Sequence, residues 1–136
     1  MRTLQPPGWP RPRGYANGVA ARGTMIFVAG QIGWDERQAI VSDDLALQLG
    51  QALDNTLAVL REAGAGPQHV VRMTWYLTDR GDYLARAGEL GEVYRARMGR
   101  HYPAMAVVEV SALIEDRAKI EIETTAVLPE DEPAPD

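Results

Sequence analysis

The sequence predicts an α+β domain in the order β-β-α-β-α-β-β, with two helices stacked on one face of a mixed sheet. Three observations predict it. An apolar stripe at helical spacing runs through Leu45, Leu49, Leu53, Leu57 and Leu60. A second, weaker stripe links Leu84, Ala87, Leu90, Val93, Tyr94 and Met98. Around them lie short runs rich in β-branched and aromatic residues. The last of these sets Lys119, Glu121 and Glu123 against Ile120 and Ile122, the two-residue period of a strand with one packed face.

Each element can be justified in order. Residues 1–13 hold four prolines and are expected to be an irregular, proline-rich segment. Gly14–Ala20 and Met25–Ala29 read as two short strands joined in a hairpin around Arg22-Gly23-Thr24. Gly30-Gln31-Ile32-Gly33-Trp34-Asp35 then leaves the sheet through two glycines, which allow a tight path and let backbone N–H groups face a ligand. Ser42 and Asp43 are expected to cap a helix running to about Ala63, ended by Gly64, Gly66 and Pro67. Val70–Leu77 is the clearest strand, with Val71, Met73, Trp75 and Leu77 on one face and Val70, Arg72, Thr74 and Tyr76 on the other. A turn and cap at Asp79–Asp82 lead into a helix over about Tyr83–Met98, weakened by Gly88 and Gly91. Strands over Ala104–Val110 and Lys119–Leu128, read as neighbours in the sheet, complete a single domain of residues 14–128. Residues 129–136 read as an acidic, disordered tail.

At 136 residues the chain has the size of one domain and can bury a core without staples. It has no cysteine, which excludes disulfides and thiolate chemistry. The two histidines lie far apart and outside any HExxH spacing, so no metal site is expected and no cofactor is implied. No secretory leader and no run of about 20 apolar residues is visible, so the expectation is a cytoplasmic protein without a membrane partner. The net charge is −5, and without the four acids of Glu130–Asp136 it is about −1. Neither value is the basic footprint of a nucleic-acid binder, and no nucleic-acid partner is expected.

The sheet face opposite the helices carries Arg72, Tyr76, Glu121 and Glu123 beside Val70 and Val107 in this reading. Such a face is too apolar for free solvent and too charged for a core. A subunit interface satisfies both, which predicts a homo-oligomer.

Six short motifs, in consistent order from about residue 14 to 128, give the chain a resemblance to the RidA/YjgF family. They are Tyr15 within GYANGV; Gly30-Gln31-Ile32; Leu53-Asp54-Asn55; Val71-Arg72-Met73-Thr74 leading to Asp79; Tyr102-Pro103-Ala104; and Ile120-Glu121-Ile122-Glu123 before Ala126-Val127. The resemblance implies a chorismate-mutase-like α+β fold and a homotrimer with small-molecule clefts between subunits. In the family's imine and enamine deaminases, a glutamate at the Glu121 position helps place the attacking water. A tyrosine at the Tyr15 position and backbone groups near Ile32 and Gly33 line the cleft. An arginine two residues after the Pro103 position grips the substrate carboxylate, and here that residue is Met105. Many members also carry an asparagine before a Val-Tyr pair in the second helix, where this chain has Gly91.

Glu121 is therefore the catalytic candidate. Its bland alternative is a solvated or interface glutamate. Tyr15, Ile32, Gly33 and Met105 are the ligand-binding candidates. Trp34, just after the turn, is placed to wall a cleft or to pack in a core. His101 is a candidate second acid/base, a role that imidazole suits near neutral pH, against the commoner fate of a solvated loop histidine. Methionine supplies no charge-assisted pair, so a small imino acid would need another cation, with Arg13, Arg72, Arg100 and Lys119 as the candidates. Two function classes follow: an imine or enamine deaminase, and a trimer that holds a small metabolite without turnover. The acidic balance argues against a third, an endoribonuclease.

Overall fold

A computed structural model describes residues 1–130 of the chain. The leucine stripe forms one long helix, α1 (Leu45–Glu62), with Leu45, Leu49, Leu53 and Leu60 buried on one side. Its N-cap is Asp44, whose carboxylate accepts the Leu47 N–H at 3.1 Å. Ser42, expected to share in the cap, instead accepts the Asp44 N–H at 3.0 Å. At the other end Gly64 adopts φ 74°, and the Gly64 and Ala65 N–H groups donate to the carbonyls of Arg61 and Leu60. That left-handed turn satisfies the last carbonyls of the helix, and glycine adopts it without strain.

The remaining elements are strands β1 (Arg2–Leu4), β2 (Gly18–Ala20) and β3 (Thr24–Ile32), then strand β4 (Val70–Leu77), helices α2 (Arg80–Ala85) and α3 (Ala87–Met98), and strands β5 (Ala104–Glu109) and β6 (Ile120–Leu128). The main sheet has the order β3-β6-β4-β5. Only β4 and β5 run parallel, so the sheet is mixed, as the sequence predicts. The side chains of α1 and α3 meet Met73, Trp75, Leu77, Ile120 and Ile122 from one sheet face to make the core.

Five expectations need correction. Residues 2–4 are not irregular: they pair antiparallel with β2, with Arg2 opposite Ala20. Every proline of the segment follows β1, so no ladder donor is lost. For the same reason β2 makes no hairpin with β3, which pairs with β6 instead. The second helix is split at Arg86, whose backbone sits at φ −116° and ψ 21° and whose guanidinium binds Glu89, Asp44 and Asp82. Val70 is fully buried rather than on the open face, because a bulge between Val70 and Arg72 shifts the ladder with β6 by one residue. Finally, β5 and β6 are not neighbours, since β4 lies between them. Of the tail expected at 129–136, residues 131–136 lie outside the described residues.

One buried polar side chain ties the long β5–β6 connection to α1. Gln48 is fully buried, and its amide donates to the carbonyls of Ser42 at 2.8 Å and Arg117 at 2.9 Å. Its carbonyl accepts the Lys119 N–H at 2.7 Å. The group is buried but fully hydrogen-bonded, so the desolvation cost is met. Across the helix layer, Arg97 of α3 pairs with Asp54 of α1, Nε to Oδ1 at 2.8 Å.

Candidate functional site

The β5 edge carries the concavity of interest. The first part of the predicted strand Gly14–Ala20 docks there: the Ala16 N–H donates to the Pro103 carbonyl at 2.9 Å, and Ala16 bridges Ala104 in parallel. Between this segment, α2, α3 and β5 lies a pocket of about 460 Å³. That volume is within the usual range for small-molecule sites. Its floor is aromatic. Tyr94 stacks on Tyr102 with ring centroids 5.7 Å apart, and Trp75 packs tilted against Tyr94 at 6.0 Å. Burial pushes the Tyr83 and Tyr94 hydroxyls above the ordinary tyrosine range, the charge of Tyr102 adding to the effect at Tyr94. Both hydroxyls therefore remain protonated donors near neutral pH. The Tyr94 O–H donates to the His101 carbonyl at 2.5 Å.

Tyr15 and Met105 both line this pocket, together with Arg13, Arg95, Leu90 and Gly91. Tyr15 is 41% exposed and also borders two adjoining hollows, one of them shared with Arg72 and Met105. Among the described residues the Trp75 indole N–H has no hydrogen-bond acceptor.

Glu121 lies elsewhere. Its cross-strand partners are Tyr76 on β4 and Ile32 on β3. Met105 pairs with Met73, which pairs with Thr124. Thr124 and Glu121 are an odd number of residues apart on one strand, so they point to opposite sheet faces. Met105 faces the helices and Glu121 faces away from them. The Glu121 carboxylate rests on the backbone of β3, where a Cβ placed on Gly30 would meet Oε2 at 2.5 Å.

The turn beside it is internally braced. The Asn55 side-chain amide donates to the Ile32 carbonyl at 3.1 Å and the Trp34 carbonyl at 2.8 Å, and Gln51 holds Asn55 in turn. Gly33 gives its carbonyl to the Val41 N–H at 3.0 Å and leaves no room for a side chain against Gln48. Ile32 is buried, and Trp34 bridges Ile40 in the loop that follows. Glu121, Ile32, Gly33 and Trp34 thus gather at one end of the sheet, while Tyr15 and Met105 meet at the β5 edge. His101 does not line the main pocket, but it shares one of the adjoining hollows with Tyr15. Its Nε2–H donates to the Val70 carbonyl at 2.6 Å, which gives the ring a bracing role, and it borders a hollow with Trp9 and Arg100.

Sequence reasoning missed Asn55 as the brace of the turn, Gln48 as a staple, and Arg95 as a pocket residue. The first two depend on contacts far apart in sequence. Arg95 carried a local signal, because it stands four residues after Gly91 on the same helix face.

This is the architecture of a small α+β domain with concave sites at the edges of its sheet, and the same architecture is found in known Rid proteins. A Rid family protein of Yersinia pestis, YyfB, superposes with a TM-score of 0.83 at 31% identity, covering 93% of this chain and 98% of that one. The Escherichia coli YjgF gene product gives 0.66 at 34% identity, with 93% and 98% covered. The family model described as Endoribonuclease L-PSP matches residues 10–128. A RutC family protein of Pyrococcus abyssi is 40% identical over 118 residues, 86% of this chain and 89% of that protein. A 2-iminobutanoate/2-iminopropanoate deaminase of Salmonella typhimurium is 34% identical over 113 residues, 83% and 86% of the two chains. The chain belongs to the RidA/YjgF family.

Proposed function

We propose that the protein is a homotrimer that hydrolyses a small imine or enamine in clefts between its subunits. The observation that carries this reading is the Glu121 carboxylate, seated over Gly30 with no ion pair or side-chain hydrogen bond among the described residues. It stands on a sheet face that also exposes Met25 by 58% and Phe27 by 72%, a combination suited to a subunit contact. Within one chain Glu121 and the Tyr15–Met105 pocket are on opposite faces. They can work together only if the open face of one copy meets the pocket edge of the next.

In such a cleft, water adds to the carbon of a protonated C=N bond. Glu121 accepts a proton from that water and returns it to the nitrogen. The C–N bond then breaks as Glu121 takes the carbinol O–H proton, leaving a carbonyl compound and ammonia, which departs with that proton as ammonium. Relatives named as 2-iminobutanoate/2-iminopropanoate deaminases support the reaction class.

Met105 favours a second reading, in which the same trimer binds a metabolite without turnover. The acidic balance of the chain does not favour an endoribonuclease. The test is ammonia release from imines generated in situ by amino-acid oxidases. Release that falls with Glu121→Gln, from a protein sedimenting as a trimer, supports the deaminase. No release from any imine, with a metabolite retained through purification, selects the binding module.

A further inference from the structure

We propose that Arg95 of α3, seated over Gly91, is the cation that takes the carboxylate of a ligand in the edge pocket. Arg13 is placed as a second cation at the pocket wall. The inference rests on the cleft reading above for the pocket being the ligand site, and it assigns the ligand's class.

Four observations carry it. The chain is acidic overall, yet no Asp or Glu lines this pocket, while two arginines do. Among the described residues Arg86, Arg97 and Arg117 are held in ion pairs, whereas Arg13 and Arg95 are in none. A guanidinium without a carboxylate partner beside an aromatic hollow is suited to an incoming planar anion. Third, the seat of Arg95 depends on Gly91: a Cβ there would meet Arg95 Nη1 at 3.1 Å, so a larger residue would press on the guanidinium. Residues four apart share a helix face, which keeps the two in register. Fourth, Met105 lines the same pocket and brings no charge, so the apolar and cationic parts of the wall come from different elements.

The rest of the pocket sets the body of the ligand. Tyr83, Tyr102, Leu90 and Met105 offer aromatic and apolar surface. A carboxylate joined to an aromatic or branched apolar group fits this wall, with the anion at α3 and the apolar part against β5. For an imine substrate, this means a 2-imino acid with a bulky side chain.

The test uses the full-length protein and benzoylformate, a non-enolisable aromatic 2-oxo acid, with its methyl ester as the uncharged control. Calorimetric titration should show benzoylformate bound more tightly than the ester, with affinity falling as salt is raised. Arg95→Met should weaken benzoylformate by about tenfold or more and leave the ester within about twofold, since only a charge-assisted contact is lost. Adding Met105→Arg to that variant should return affinity for the acid. The proposal is overturned if Arg95→Met binds the acid as the wild type does, if acid and ester lose affinity equally, or if the wild type binds no benzoylformate at millimolar concentration. Ammonia release measured in parallel separates the two ideas. Acid binding that needs Arg95 in a protein that releases no ammonia keeps the cation and discards turnover. Release from 2-imino acids that is indifferent to Arg95→Met keeps turnover and discards the cation.

Discussion

The Glu121 carboxylate lies directly on the backbone of Gly30, so close that a Cβ at position 30 would come within 2.5 Å of Oε2. Glycine at this point is a matter of space for a functional group, because no left-handed backbone demands it. Alanine at 30 should push the carboxylate aside, since a flexible side chain yields before a strand does. The expected result is a fall in ammonia release of about a hundredfold, as for Glu121→Gln, with stability within about 1 kcal/mol of wild type. Steady-state kinetics and chemical denaturation of the two variants check this. A Gly30→Ala protein with full activity would show that the seat is not needed.

Gly33, three residues on, should behave in the opposite way. Its hypothetical Cβ meets the Cα of Gln48 at 2.6 Å, and α1 cannot swing away as a side chain can. Gly33→Ala should cost about 1–3 kcal/mol through overpacking. The midpoint of urea unfolding reads this, and an unchanged midpoint would mean that the loop simply moves.

Gln48→Leu keeps the volume and removes three hydrogen bonds. The Lys119 N–H and the carbonyls of Ser42 and Arg117 would lose their partner in a buried place. The expected loss is about 3 kcal/mol, set by these orphaned groups rather than by packing. Amide exchange should quicken first at Lys119, whose N–H is held by this side chain.

Asp44 couples stability to pH. The Leu47 N–H and the Arg86 guanidinium, 2.9 Å away, hold its carboxyl below the usual aspartate range. A carboxyl depressed by folding stabilises fully above the unfolded value of about 3.9, and the contribution fades as pH falls through the lower folded value. Asp44→Ala should cost about 1–2 kcal/mol at pH 7 from the lost cap and ion pair. Thermal unfolding of both proteins at pH 7 and pH 3 should show the gap narrowing at the acid end.

Most of the fold was legible because its cues are local. The spacing of Leu45, Leu49, Leu53 and Leu60 needs only one helix to be recognised, and the alternation at Ile120–Glu123 needs only one strand. The misreadings arose where a partner elsewhere decides. Gly18–Ala20 looked ready to fold back on Met25–Ala29, but Arg2–Leu4 pairs with it instead. Val70 shared a parity with Arg72 until a bulge removed it.

The sequence by itself determined the class, the family and the residues at stake, because periodicity, glycine turns and motif order are properties of the chain alone. Only the tertiary structure decided how those residues are grouped. With β4 set between β5 and β6, Met105 and Glu121 fall on opposite faces of the sheet. The same packing brings Arg13, Arg95 and the tyrosines around Met105, from segments some eighty residues apart in sequence. Parity along a strand can be read from sequence, but which strand lies beside it depends on burial summed over the whole core.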